Sequence, residues 1–237
     1  MTGTGGTTLV VIAKVFVAGR VKTRLTPPYS PRQAAVLAEA ALTDTLAVGL
    51  ALPARRRLLV LDGAPGDWLP RGYEVVPQVA GGLDARLAAA FGCCEGPALL
   101  VGMDTPHLTP GLLAPAFGPG GWEGCDAWFG PAADGGFWAL GLAEPRRPDL
   151  LLGVPMSTAR TGSVQRARLT AAGLRVADLP SLRDVDTAAD AAEVAALAPH
   201  TGFARTLRGM TQRVTVPTPA RLAVGPARSP AAEGTGR

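Results

Sequence analysis

Short runs of aliphatic and β-branched residues alternate along the chain with alanine-rich stretches whose apolar positions recur at helical spacing. That alternation predicts an α/β fold, a mostly parallel sheet flanked by helices. Strands are expected at residues 8–15, 58–61, 73–76, 98–103, 127–130, 137–142 and 174–179. Pro31 opens a helix with Ser30 as its cap, and Ala34, Leu37, Ala41 and Leu42 mark its apolar face. Further helices are expected at 83–91, after Pro110 with Thr109 as cap, at 161–172 up to Gly173, and at 188–197, where the last one closes the domain. Loop 131–136 joins two of the strands.

Beyond about Arg208 the texture changes to proline, threonine, alanine and glycine with scattered arginines and no period. Residues 1–208 therefore read as one domain and 209–237 as a disordered tail. No run of eighteen apolar residues occurs, so no membrane partner is expected. Residues 1–8 lack a basic n-region, which makes a cytoplasmic location the expectation. The cysteines are Cys93, Cys94 and Cys125, an odd number without Cys-x-x-Cys spacing, and read as buried thiols. A net charge of +4, spread along the chain with few aromatics, argues against a nucleic-acid partner.

Charge becomes informative only in its kind. Of 23 basic residues just two are lysine, Lys14 and Lys22, and they lie in one segment. That placement points to a need for a compact point charge rather than a planar guanidinium.

Four segments carry candidate chemistry. The first, residues 14–25, follows the first strand and holds Lys14, Gly19, Arg20, Lys22, Thr23 and Arg24. Four cations so close repel one another unless an anion joins them, and a glycine loop at a strand's carboxyl end lets backbone N–H groups approach a phosphate. The spacing matches neither a P-loop nor a dinucleotide-binding fingerprint. The second segment ends an apolar strand in Asp104, followed by Thr105, Pro106 and His107. Asp104 reads either as a helix cap or as a ligand of Mg²⁺ or Mn²⁺ bridging to phosphate, and Thr109 is better placed to cap. His107 reads as a surface or cap residue.

The third segment is Asp134-Gly135-Gly136 between two strands, which serves equally as a hairpin turn or as a place of close approach to a ligand. In the fourth, Thr187 and Asp190 form a capping box, leaving Asp184 and Asp186 on the same side of an extended stretch for metal or substrate.

In this order the segments resemble the small bacterial GT-A-like glycosyltransferases often called radical-SAM/selenodomain-associated transferases. The shared pattern is the Lys14 to Leu25 loop, Gly-x-Asp-x-Pro-x-Leu around Asp104, Gly-Pro-x-x-Asp-Gly-Gly-aromatic around Asp134, and Asp-Val-Asp-Thr ending at Thr187. It spans roughly residues 8–200. The resemblance implies a nucleotide-diphospho-sugar transferase fold with the nucleotide in the amino-terminal half and the acceptor in the carboxyl-terminal half. By it, Lys14, Gly19, Arg20, Lys22, Thr23 and Arg24 hold the nucleotide phosphates, and Asp104 and Asp186 hold Mg²⁺ or Mn²⁺. Asp134 becomes the candidate base, with Gly135, Gly136, Ser157 and Thr158 lining the sugar or acceptor site. Three departures stand out: Val17 and Ala18 where a proline is usual, Asp84 in place of a glycine, and Met156 in place of a tryptophan that faces the acceptor.

The functions implied are glycosyl transfer from a nucleotide-sugar to a small-molecule acceptor, or joining of an NTP to a phosphorylated small molecule. A non-catalytic nucleotide-binding module is the third possibility.

Overall fold

The structure is a computed structural model that describes residues 6–215. Its seven strands form one sheet in the order β3-β2-β1-β4-β6-β5-β7. Strand β1 (Thr8–Lys14) pairs in parallel with β2 (Arg56–Asp62) and β4 (Ala98–Val101), and β3 (Glu74–Pro77) lies parallel on β2. Strand β6 (Phe137–Leu142) runs antiparallel to both β4 and β5 (Ala127–Pro131), while β7 (Val176–Asp178) is parallel to β5. A single reversed strand in an otherwise parallel sheet fits the expected mostly parallel architecture.

Residues 8–11 of β1 and all of β4 are buried on both faces, as central parallel strands must be once helices cover each side. On one face, α1 (Pro31–Ala51) and α3 (Pro110–Phe117) close over Leu9, Val11, Leu59 and Leu99. On the other, α2 (Leu83–Gly92) and α4 (Thr161–Ala171) cover Val10, Leu58, Leu100, Phe129 and Leu140. Ser30 caps α1 by accepting from the Gln33 N–H, and Gln33 returns the bond. Thr109 caps α3 by accepting from the Leu112 N–H, with no bond returned. By length and composition α1 is apolar enough to cross a membrane, yet half of its apolar window is buried, with Leu42 and Leu46 in the core beside the sheet. Cys94 and Cys125 are buried as expected, whereas Cys93 is exposed.

The helix α5 (Ala188–Leu197) does not close the domain. A further helix, α6 (Gly202–Thr215), packs Phe203 and Leu207 against Leu37 and Ala41 of α1. Its first N–H groups, those of Gly202 and Phe203, donate to the two carboxylate oxygens of Asp44 at 2.9 and 2.7 Å. Thr201, just before the helix, caps it locally as well, its Oγ1 accepting from the Ala204 N–H at 3.1 Å, and Phe203, Leu207 and Met210 recur at helical spacing, so the chain does carry local signals for this helix. The boundary expected at Arg208 falls inside α6. Residues 216–237 of the expected tail, like residues 1–5, lie outside the described residues.

The topology decides where the chemistry goes. Parallel β1, β2 and β4 end at one edge, which receives Lys14 opposite Asp62 and the chain leading to Asp104. Strand β6 starts at that same edge, because Ala139 pairs with Val101, so the β5–β6 loop lies there too. Past β7, Leu182 bridges to Ala132 and carries residues 184–186 to the same place.

Candidate functional site

These four segments enclose a cleft of about 650 Å³. Lys22 is its centre. The one-turn 3₁₀ helix Thr23–Leu25 anchors the loop through buried Leu25, and Lys22 just before it takes a left-handed backbone conformation (φ 48°, ψ 42°). That conformation is costly for a residue with a Cβ and is kept only where the surroundings fix it. Here they do: the Lys22 side chain is 8% exposed, with Nζ 2.8 Å from Asp104 Oδ1 and 3.1 Å from Asp186 Oδ1. Burial alone would lower the Lys22 pKa, but the charges and hydrogen bonds of Asp104 and Asp186 outweigh it and raise the value. Arg24, largely exposed, reaches Asp186 Oδ2 at 3.5 Å.

The two acidic segments are tied through the backbone, the Val185 N–H donating to the Asp104 carbonyl at 2.9 Å. Between them lies Asp184, whose Oδ1 is buried without a hydrogen-bond partner. Burial, then the charge of Asp104, pushes the Asp184 carboxyl up to about 7, while Lys22 pulls the other way. Asp184 and Asp186 both line the cleft, as their spacing predicts.

On the opposite side, Asp134 Oδ1 accepts from the Gly136 N–H at 2.8 Å, which shapes the tight β5–β6 turn. Gly135 has φ +90°, and a Cβ there would fall onto the backbone of Ala159. The Gly135 carbonyl accepts from the Gly162 N–H at 2.8 Å, so the turn is docked on the start of α4. Turn and cleft wall are thus one structure. Ser157 (φ 58°) and Thr158 continue this wall, Thr158 Oγ1 accepting from the Arg160 N–H at 3.2 Å. Met156, which the resemblance turns toward the acceptor, lines the cleft, and Phe137, Leu83 and Leu87 add apolar surface that the sequence did not assign to the site. Asp84, standing where a glycine is usual, accepts from the Gly153 N–H at 2.9 Å and ties α2 to the loop that carries Met156.

Lys14, Lys22, Thr23, Arg24, Asp104, Asp134, Gly136, Ser157, Thr158 and Asp186 all line the cleft. Gly19 and Arg20 do not: Gly19 (φ 80°) makes the turn of the loop, and Arg20 is exposed beside it. Gly135 acts from behind the wall. His107, expected at the surface or as a cap, is half-buried, and its Nδ1 has no hydrogen-bond partner.

The donor set bears on a divalent cation. Among the described residues no group of three His, Cys, Asp or Glu side chains stands ready as a complete cage. What stands ready is a pair of half-exposed carboxylates already holding one cation, the Lys22 ammonium, with the orphaned Asp184 oxygen in the same cleft. Mg²⁺ and Mn²⁺ in phosphate chemistry take one or two carboxylates and complete their shell with phosphate oxygens and water. The residues fit such a shared site.

The sheet, with its cleft at the strand carboxyl ends, has the nucleotide-diphospho-sugar transferase fold, as superposition on solved structures shows. A Desulfovibrio desulfuricans G20 protein classed by name as a nucleotide-diphospho-sugar transferase superposes with a TM-score of 0.77 at 24% identity, covering 86% of this chain and 95% of its own. The CMP:2-keto-3-deoxy-manno-octonic acid synthetase in complex with CTP gives 0.52 at 13%, covering 81% and 98%. The 2-C-methyl-D-erythritol 4-phosphate cytidylyltransferase of Thermus thermophilus gives 0.50 at 17%, covering 82% and 99%. Identities this low speak for the fold alone. No curated protein matches by sequence. The chain belongs to the DUF2064 family, described as an uncharacterized protein conserved in bacteria, whose profile matches residues 36–158. Asp104, Asp134 and residues 156–158 fall within that match; the Lys14–Arg24 loop and Asp186 fall outside it.

Proposed function

We propose that the chain is a glycosyltransferase that binds a nucleoside-diphosphate sugar together with Mg²⁺ or Mn²⁺ and passes the sugar to a hydroxyl of an uncharged small-molecule acceptor. The observation that carries this reading is the buried Lys22 ammonium held between Asp104 and Asp186 at the strand carboxyl ends. In this reading Lys14, Lys22 and Arg24 bind the diphosphate, Thr23 adds a hydroxyl, and Gly19 and Arg20 shape the loop. Asp104 and Asp186 hold the cation, which when bound stabilises charge on the leaving diphosphate. Asp134 takes the acceptor proton through its free Oδ2, and Gly136, Ser157 and Thr158 orient the sugar and acceptor.

The distribution of charge favours glycosyl over nucleotidyl transfer. Among the described residues lining the cleft, every basic one comes from the end of β1 or the β1–α1 loop, while the wall of Phe137, Met156, Ser157, Thr158 and Ala159 is uncharged. A phosphorylated co-substrate needs a second set of cations, as paired charges in recognition sites do. Asp134, which no basic side chain pairs with among the described residues, would repel it. Nucleotidyl transfer is the second reading, supported by a basic loop rich enough for a triphosphate and by the fold shared with cytidylyltransferases.

A thermal-shift panel of NTPs and sugar nucleotides with and without Mn²⁺, followed by product analysis, tests the choice. Free nucleoside diphosphate released from a sugar nucleotide supports glycosyl transfer; pyrophosphate released from an NTP contradicts it.

A further inference from the structure

Lys22 and a divalent cation would compete for one position. The ammonium sits 2.8 Å from Asp104 Oδ1 and 3.1 Å from Asp186 Oδ1. Mg²⁺ holds carboxylate oxygens at about 2.1 Å and tolerates no ammonium among its ligands, so a cation that takes the same Oδ1 pair displaces Lys22. A displaced lysine needs somewhere to go, because its side chain is enclosed and its backbone is fixed in the left-handed region. Asp184 lines the same cleft, with a buried Oδ1 that has no hydrogen-bond partner and with Lys22 among its electrostatic neighbours. An orphaned buried carboxylate oxygen is expensive to keep, and its retention calls for a use.

We propose that Asp184 is a positioning residue that receives the Lys22 ammonium when a divalent cation takes the place between Asp104 and Asp186. The charges that face this movement come from every element around it: Asp104 after β4, Asp134 in the β5–β6 turn, Asp184 and Asp186 before α5, Lys14 at the end of β1 and Arg24 from the β1–α1 loop. Four carboxylates against three cations, Lys22 included, leave the cleft able to accept a further positive charge. In the ligand-free protein Lys22 keeps the two cation-binding carboxylates together; after the exchange it stands beside the cation, pointed at the incoming diphosphate. This rests on the cation site of the proposed function, and it accounts for a lysine rather than an arginine at position 22, since a compact ammonium can pass between carboxylates where a planar fork cannot.

Lys14 and Lys22 are the only lysines in the chain, so a lysine-selective probe reads the exchange directly. Protein carrying [ε-¹³C,¹⁵N]-lysine gives two side-chain signals to follow by NMR during Mg²⁺ titration, while calorimetry records binding of Mg²⁺ and Mn²⁺. The expected result is that Mg²⁺ shifts the Lys22 signal to a second buried position in the wild type. In Asp184→Asn it shifts instead toward the solvated position of Lys14, and amine-reactive labelling of Lys22 rises several-fold. Lys22→Met, freed of the competitor, binds Mn²⁺ about tenfold tighter without nucleotide, by the rule that a site occupied by its own alternative loses affinity in proportion. If Asp184→Asn fails to fold, the wild-type titration and Lys22→Met still decide. Cation binding with an unmoved Lys22 signal, or an identical shift in Asp184→Asn, overturns the exchange alone. No binding of either cation overturns the cation reading itself and the exchange with it.

Discussion

The Lys22 ammonium, on a loop that leaves β1, is buried against the Asp104 carboxylate at the end of β4, 2.8 Å away. Two segments that look in sequence like a basic turn and a strand-end acid are thereby one charge-compensated unit. Such a unit is rigid without ligand and can be opened by one, which suits a site that must take up both an anion and a cation.

Arg24 lies at the open rim, with its guanidinium mostly exposed and only a long contact to Asp186. Arg24→Ala should leave thermal stability unchanged, because exposed ion pairs contribute little. It should weaken nucleoside-diphosphate binding about tenfold, on the order of 1.4 kcal/mol, through loss of a charge-assisted phosphate contact. Isothermal titration calorimetry of the variant measures both the affinity and the stoichiometry.

Asp134 tests the acceptor side. With Oδ1 engaged by the Gly136 N–H, Asp134→Asn can keep the turn, since an asparagine oxygen accepts the same bond. Donor affinity should stay within about twofold, whereas kcat should fall by at least about a hundredfold, the usual contribution of a general base. An unchanged kcat would leave Asp134 as a turn residue and nothing more.

The sheet, its order of elements and the convergence of the four segments were legible because each is written locally. Alternating apolar runs mark the strands, Ser30, Thr109 and Thr187 mark helix starts, and a parallel sheet gathers whatever follows its strands at one edge. What was not legible depends on contacts between distant residues. The burial of Lys22 between Asp104 and Asp186 is the clear instance, whereas α6 carries a local cap in Thr201 and an apolar period that belong to the readable signals. Local sequence shows an unsatisfied cation and leaves its partner unnamed. Gly19 and Arg20 were assigned to phosphate by position in a basic loop, but the loop turns at Gly19 and carries Arg20 away from the cleft. Leu83 and Leu87 carry no sign of the site in sequence, since an apolar cleft wall has the same pattern as an apolar core.

Gly135 links the fold to the site. Its φ of +90° and the nearby Ala159 backbone leave no room for a side chain. Gly135→Ala should destabilise the protein by about 2–4 kcal/mol, combining left-handed strain with a backbone clash. Urea denaturation followed by far-UV circular dichroism measures this, and a loss below about 0.5 kcal/mol would show that the turn and the start of α4 can separate freely.

The central claim is that Asp104 holds a divalent cation shared with the nucleotide diphosphate, and calorimetry of Asp104→Asn tests it most directly. The variant keeps the shape of the side chain and loses the charge that balances the cation. Asp190→Asn serves as the control, because Asp190 completes the Thr187 capping box without lining the cleft, and its loss should cost about 1 kcal/mol while sparing ligand binding. The account predicts that wild type and Asp190→Asn bind nucleoside diphosphate more tightly with Mn²⁺ than without, and that Asp104→Asn binds equally weakly in both conditions, with turnover reduced at least about a hundredfold. Undiminished Mn²⁺ dependence in Asp104→Asn would contradict it and leave Asp104 as the structural partner of Lys22.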